Sequence, residues 1–217
     1  MKIKLLWSFF AVVAWLLSSM QSVQAEGNAE AGKKKFYTCG GCHAIEGYTN
    51  AVPNYHVPKL GGQHDKAVIA ALNAYKTGDR IHGNQPQANS MQGNASTLSD
   101  KDLEDIAAYV SKKVLSTETN VITGDPAKGK EKSAAVCAGC HGEDGNVQDK
   151  DGKVLNQDYP RLAGQYEDYL IKALKDYKKG VRKNLIMGGM AQPLSDEDIK
   201  DISAFYASKR GLVTISD

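Results

Sequence analysis

The feature that most constrains this chain is a pentapeptide that occurs twice. Residues 39–43 read CGGCH, residues 137–141 read CAGCH, and these two sites use all four cysteines of the 217 residues. Other matches follow in the same order. PKLGGQ at 58–63 pairs with PRLAGQ at 160–165, AYKTG at 74–78 with DYKKG at 176–180, and TLSDKDLEDIAAYV at 97–110 with PLSDEDIKDISAFY at 193–206. Two copies of one small domain account for this. Residues 26–119 form the first and 120–217 the second, with the linker near Ser116–Asp125, where Thr, Asn, Gly and Pro collect.

Residues 1–25 stand apart. Lys2 and Lys4 precede an apolar run from Leu5 to Leu17, and Val23-Gln24-Ala25 offers small residues for cleavage. This is the form of a secretory signal peptide. The run falls short of the roughly 20 residues that span a bilayer as a helix. A retained membrane anchor is the alternative. No cysteine precedes Cys39, which excludes a lipid-modified cysteine anchor. Lys2 and Lys4 also carry the whole net charge of +2, so the mature chain is formally neutral. That excludes the basic excess usual in nucleic-acid binders. A local basic cluster at Lys172, Lys175, Lys178, Lys179, Arg182 and Lys183 reads as a solvated helix face, with a docking patch as the alternative.

Both halves read as all-α. Ser99 with Asp102, and Ser195 with Asp198, form capping boxes ahead of the last helix of each half. Leu98 with Leu103, and Leu194 with Ile199, form hydrophobic staples. Apolar residues then recur at helical spacing: Leu103, Ile106, Ala107 and Val110, and Ile199, Ile202, Phe205 and Tyr206. Middle helices are expected over about 65–75 and 166–178, and a short helix leads into each pentapeptide. No strand pattern stands out. Domains this small, rich in loops, need a disulfide, a metal or a cofactor in place of a full core.

The pentapeptides point to that element. A structural disulfide or a redox dithiol needs no His after the second Cys, and zinc wants four ligands at one site. Cys-x-x-Cys-His is the signature of covalent haem attachment. Cysteines at i and i+3 share a helix face and reach the two vinyl groups of one haem, and the following His points to the iron. Cys39, Cys42, Cys137 and Cys140 are therefore the expected attachment residues of two covalently bound haem c groups, with His43 and His141 as iron ligands.

The internal repeat pairs Met91 with Met187, each seven residues before the Leu that opens the last-helix segment. They are the candidate sixth ligands. Met190 competes in the second half. His82, His56 and His64 compete in the first. Pro58 and Pro160 either let a backbone carbonyl accept Nδ1–H of each proximal His or mark a simple turn. Arg80 and Arg182 also pair, facing either haem propionates or solvent.

With these motifs together, the sequence resembles the di-haem cytochrome c4 family of class I c-type cytochromes. The resemblance implies two tandem cytochrome c-like domains, each with a His/Met haem. It implies an electron carrier of the periplasm rather than an enzyme, with no catalytic residues. It implies redox protein partners, such as a quinol-oxidising complex and a terminal oxidase or another periplasmic redox enzyme, and peripheral contact with the inner membrane. The chain departs from the pattern in its first half. Residues 79–90 make a long polar loop, and 44–57 lack the loop seen as GEDGN at 142–146. A haem enzyme or small-ligand sensor, open at the first iron, is the alternative.

Overall fold

The computed structural model describes residues 27–51, 53–80, 90–118 and 120–216. The signal segment and His82 lie outside them. Each half is built from the same helices. In the first half α1 spans Ala29–His43, α2 Asp65–Thr77, α3 Ser90–Ser96 and α4 Asp100–Ser111. In the second half α5 spans Pro126–Val136 and α6 Ala138–His141, a break at Cys137 dividing what is one helix in α1. Then follow α7 (Glu167–Lys178), α8 (Leu185–Ala191) and α9 (Asp196–Ala207).

Local chemistry sets the helix ends. Asn28 and Asp125 cap α1 and α5 with side-chain oxygens, and Pro126 follows Asp125 at the first helical position, where no N–H is needed. Gly78 closes α2 in the left-handed region at φ 79°. Both expected capping boxes form. Asp102 Oδ2 accepts from Ser99 N at 3.0 Å, and Asp198 Oδ2 from Ser195 N at 3.0 Å.

In each half the first helix crosses the last, and a glycine sits at the crossing. A Cβ on Gly32 would lie 1.9 Å from the Asp105 carbonyl oxygen, and one on Gly129 would lie 1.9 Å from that of Asp201. Around these crossings lie two cores. The first joins Phe36, Val68, Leu72, Leu103, Ile106 and Val110, with Leu98 against it. The second joins Leu170, Leu194, Ile199, Ile202, Phe205 and Tyr206. Both staple leucines are thus in place.

The two halves are tightly joined. The residues after α4 pair with the C-terminal tail, Ser116 with Gly211. Asn120 donates to the carbonyls of Gly164 and Ala207, and Thr123 and Gly124 donate to Glu167. The expected linker is therefore pinned at Ser116, Asn120, Thr123 and Gly124. The tail runs back across the first half. Val213 pairs with Gly61, and Ile215 enters the first core.

One element was not expected. A short antiparallel hairpin, β1 (Thr49–Asn50) and β2 (Tyr55–His56), lies in the segment peculiar to the first half. Strands of two residues are too short to show an alternating pattern. The hairpin lies against α7. Tyr55 packs with Tyr166 and Tyr169, and Asp168 accepts from His56 Nδ1 at 2.7 Å. Among the described residues no helix is long and apolar enough to cross a membrane.

Candidate haem-attachment sites

The first pentapeptide occupies the last turn of α1. In the second, Cys137 follows α5 and Cys140-His141 ends α6. No disulfide joins the four cysteines. Burial pushes the Cys39 thiol up, and it pushes that of Cys137 up to about 11, against a hydrogen bond with Tyr206. Redox dithiols are activated by a lowered pKa, and neither Cys39 nor Cys137 has one.

The histidines are held alike in both halves. His43 is 7% exposed and His141 5%. His43 Nδ1 lies 2.8 Å from the Pro58 carbonyl oxygen, and His141 Nδ1 lies 2.9 Å from that of Pro160. A carbonyl only accepts, so Nδ1 carries the proton in each ring. Burial is the main force keeping both imidazoles below their ordinary pKa, hence neutral. Each Nε2 is then left with a lone pair, the form in which an imidazole binds a metal. The carbonyls are those expected from the repeated prolines.

Met91 lies in α3 and packs against the first core together with Cys39 and Leu60. Met187 lies in α8, where the Asn184 side chain accepts from its N–H, and is half-buried. Its neighbours Leu185 and Ile186 are exposed, Leu185 to 98%. Met190 is also on the exposed side of α8. His56 and His64 are turned to the other half. His64 is buried, and its Nδ1 donates to the Tyr159 carbonyl at 3.0 Å.

The paired arginines meet between the halves. Arg80 and Arg182 form a backbone bridge, and each guanidinium lies over a tyrosine of its own half, Tyr75 at 4.9 Å and Tyr177 at 4.6 Å. Arg80 Nη2 donates to the Tyr169 hydroxyl at 2.8 Å. Burial alone would raise the pKa of Tyr169, but the two guanidiniums outweigh it and hold the hydroxyl below its ordinary range. Among the described residues, buried N–H groups are left without partners at Nε of Arg80, and at Nε and Nη1 of Arg161 and of Arg182. These orphan donors fit a group that brings carboxylates. The unpaired thiols and the free imidazole nitrogens fit haem c equally.

The basic cluster is largely consumed inside the chain. Lys172 pairs with Asp176, Lys175 with Asp196 and Lys183 with Asp79, and Lys178 donates to the Leu194 carbonyl. Sequence reasoning missed the contacts between halves, above all those of Gln63 and Gln165. Their only signal was the shared last letter of PKLGGQ and PRLAGQ.

A family model, Cytochrome c, matches this chain twice, over residues 29–113 and 126–208. Cytochrome c4 of Stutzerimonas stutzeri is 36% identical, over 83% of this chain and 89% of that protein. Two solved structures share the architecture. Cytochrome c4 of Acidithiobacillus ferrooxidans has a TM-score of 0.66 at 28% identity, covering 80% of this chain and 99% of that one. Reduced recombinant cytochrome c4 of Pseudomonas stutzeri has a TM-score of 0.62 at 33% identity, covering 85% and 100%. With two Cys-x-x-Cys-His sites on two cytochrome c domains, the chain carries two covalent haem c groups and belongs to the cytochrome c4 family of di-haem electron-transfer proteins.

Proposed function

We propose that this protein is a periplasmic electron carrier that shuttles electrons between respiratory redox partners and catalyses no reaction of its own. In this reading Cys39, Cys42, Cys137 and Cys140 hold the haems by thioether bonds. His43 and Met91 ligate the first iron, and His141 and Met187 the second. The domains correspond to residues 26–119 and 120–217, after a signal peptide of 25 residues. A quinol-oxidising complex or a dehydrogenase is the donor class, and a terminal oxidase or reductase the acceptor class.

The observation that carries the reading is the matched pair of Nδ1–carbonyl bonds at 2.8 and 2.9 Å. They present two neutral imidazoles, each with one nitrogen free. A His/Met haem supplies a one-electron Fe(III)/Fe(II) couple whose thioether favours the ferrous state. The chain's task is to keep those ligands still. The last turn of α1 and the short α6 set the imidazoles, Pro58 and Pro160 hold their rings, and α3 and α8 bring the methionines. Arg80, Arg161 and Arg182 offer buried donors suited to the propionates.

The test is the absorption spectrum of the purified holoprotein, oxidised and reduced, with and without carbon monoxide. Low-spin spectra that carbon monoxide leaves unchanged are expected, because both irons are closed. Carbon monoxide on about half of the haem would refute closure at one site. It would then favour the ligand-binding enzyme or sensor.

A further inference from the structure

The structure contains a hydrogen-bond relay between the halves that ends at each proximal histidine. The Pro58–Lys59 peptide is engaged at both ends. Its carbonyl accepts from His43 Nδ1 at 2.8 Å, and its N–H donates to Gln165 Oε1 of the other half at 2.9 Å. The Pro160–Arg161 peptide repeats the arrangement. Its carbonyl accepts from His141 Nδ1 at 2.9 Å, and its N–H donates to Gln63 Oε1 at 2.7 Å.

Both glutamines are locked. Oε1 also accepts the N–H of the following residue, His64 at 3.0 Å or Tyr166 at 3.1 Å. Nε2 donates back across the interface, to the Lys59 carbonyl at 2.9 Å or the Arg161 carbonyl at 3.1 Å. Gln165 is 4% exposed, so water does not stand in for it.

We propose that Gln165 tunes the haem held by His43, and Gln63 the haem held by His141, so that each domain sets the reduction potential of the other's iron through a shared peptide group. This rests on the two histidines being iron ligands. The physical step is polarisation. An amide whose N–H is bonded to an acceptor carries more negative charge on its oxygen, and hydrogen bonds in series strengthen one another. A stronger acceptor at Nδ1–H makes the imidazole a more basic ligand. A more basic ligand stabilises Fe(III) and lowers the potential. The glutamines are positioning residues: neither touches the iron or the imidazole.

Full-length holoprotein carrying Gln165→Leu, Gln165→Glu or Gln63→Leu tests this. Potentiometric titration reads the two midpoints, and the haem methyl NMR resonances assign them. Gln165→Leu removes the acceptor and should raise the first haem's midpoint while leaving the second in place; Gln63→Leu should do the reverse. A shift of several-fold in the oxidised-to-reduced ratio is expected, tenfold being about 59 mV for one electron. Gln165→Glu keeps an acceptor at Lys59 N–H and strengthens it, so the first midpoint should fall. This variant also carries the test should the leucine variant not fold. The Nδ1–H proton resonance of His43 in the reduced protein should move upfield in Gln165→Leu and downfield in Gln165→Glu.

Glutamines that only glue the domains together would leave the opposite midpoint and the Nδ1–H resonance unmoved, and that result overturns the proposal. So do equal shifts of both haems, or shifts of one sign in Leu and Glu. Failure of the ligand reading is seen separately and first. It would appear as a wild-type protein whose His43 and His141 lack ligand-shifted ring resonances.

Discussion

Gly129→Ala sets two known effects against each other. Alanine is the better helix former by about 0.8–1 kcal/mol, so on propensity alone α5 should gain stability. Tertiary contact points the other way. The new Cβ would lie 1.9 Å from the Asp201 oxygen, 2.4 Å from its carbon and 2.9 Å from Phe205 Cβ. Ordinary contact begins at 3.4 Å, so α5 and α9 must part by about 1.5 Å. Asp201 lies inside α9, so its carbonyl cannot swing away alone. Ser133, Ile202 and Phe205, all buried along this helix pair, lose contact as it opens. Forcing atoms into a packed seam costs typically about 1–3 kcal/mol, sometimes more. An approach of 1.9 Å to a backbone oxygen belongs at the upper end of that range, so the clash wins by about 2 kcal/mol, a fall in melting temperature of about 4–8 °C for a chain of this size. Thermal melts of the holoprotein followed by far-UV circular dichroism measure it. Gly32→Ala should behave alike, since Asp105 O stands at the same 1.9 Å. Lys130→Ala, on the exposed side of α5, should stay within about 0.5 kcal/mol of wild type. A Gly129→Ala protein melting at or above wild type would refute the reasoning.

Other outcomes follow from single contacts. Ile215→Ala removes a 2%-exposed side chain of the second half's tail from the first half's core, and should lower the urea midpoint by an amount equivalent to about 2–5 kcal/mol. Ser195→Ala removes one arm of a capping box and should cost about 1 kcal/mol in the same assay. Asp102 and Asp198 are held near pKa 2, Asp102 first by Lys35 and then by Ser99, Asp198 first by the Ser195 N–H and then by Lys132, against an ordinary 3.8. Carboxyls lowered on folding stabilise the protein above the unfolded value and lose that contribution as pH falls through the folded one. Melting temperature should thus fall between about pH 4 and pH 2, and less steeply in Asp102→Asn and Asp198→Asn. Met187→Ala should let about half of the reduced haem bind carbon monoxide, whereas Met190→Ala should leave both irons closed; the reverse pattern would reassign the ligand.

Much of this molecule is written in short patterns. The Cys-x-x-Cys-His pentapeptides, the Ser-x-x-Asp boxes, the staple leucines and the prolines near each histidine act within a few residues or within one half. Their chemistry can be read because the interacting groups are neighbours along the chain or recur in register with the repeat. By itself the sequence determined that there are two helical domains and that each takes a covalent haem; that the acceptor behind each histidine is the proline carbonyl itself came from the fold.

Only the tertiary structure decided how the halves meet. Gln63 and Gln165 reach peptides 98 and 106 residues away, and Tyr55 and His56 find α7 by way of a hairpin without periodicity. Ile215 is apolar in a tail with no pattern, and nothing nearby marks it for the other half's core. The lysines of 172–183 read as a solvated helix face or a docking patch, and nothing local pairs Lys175 with Asp196 or Lys183 with Asp79. Such contacts leave no local signature, because a side chain's propensity does not depend on which distant backbone it will meet. An internal repeat makes two similar surfaces. Which of their polar groups pair across the interface, and so which glutamine stands behind which histidine, is settled only when the two copies dock.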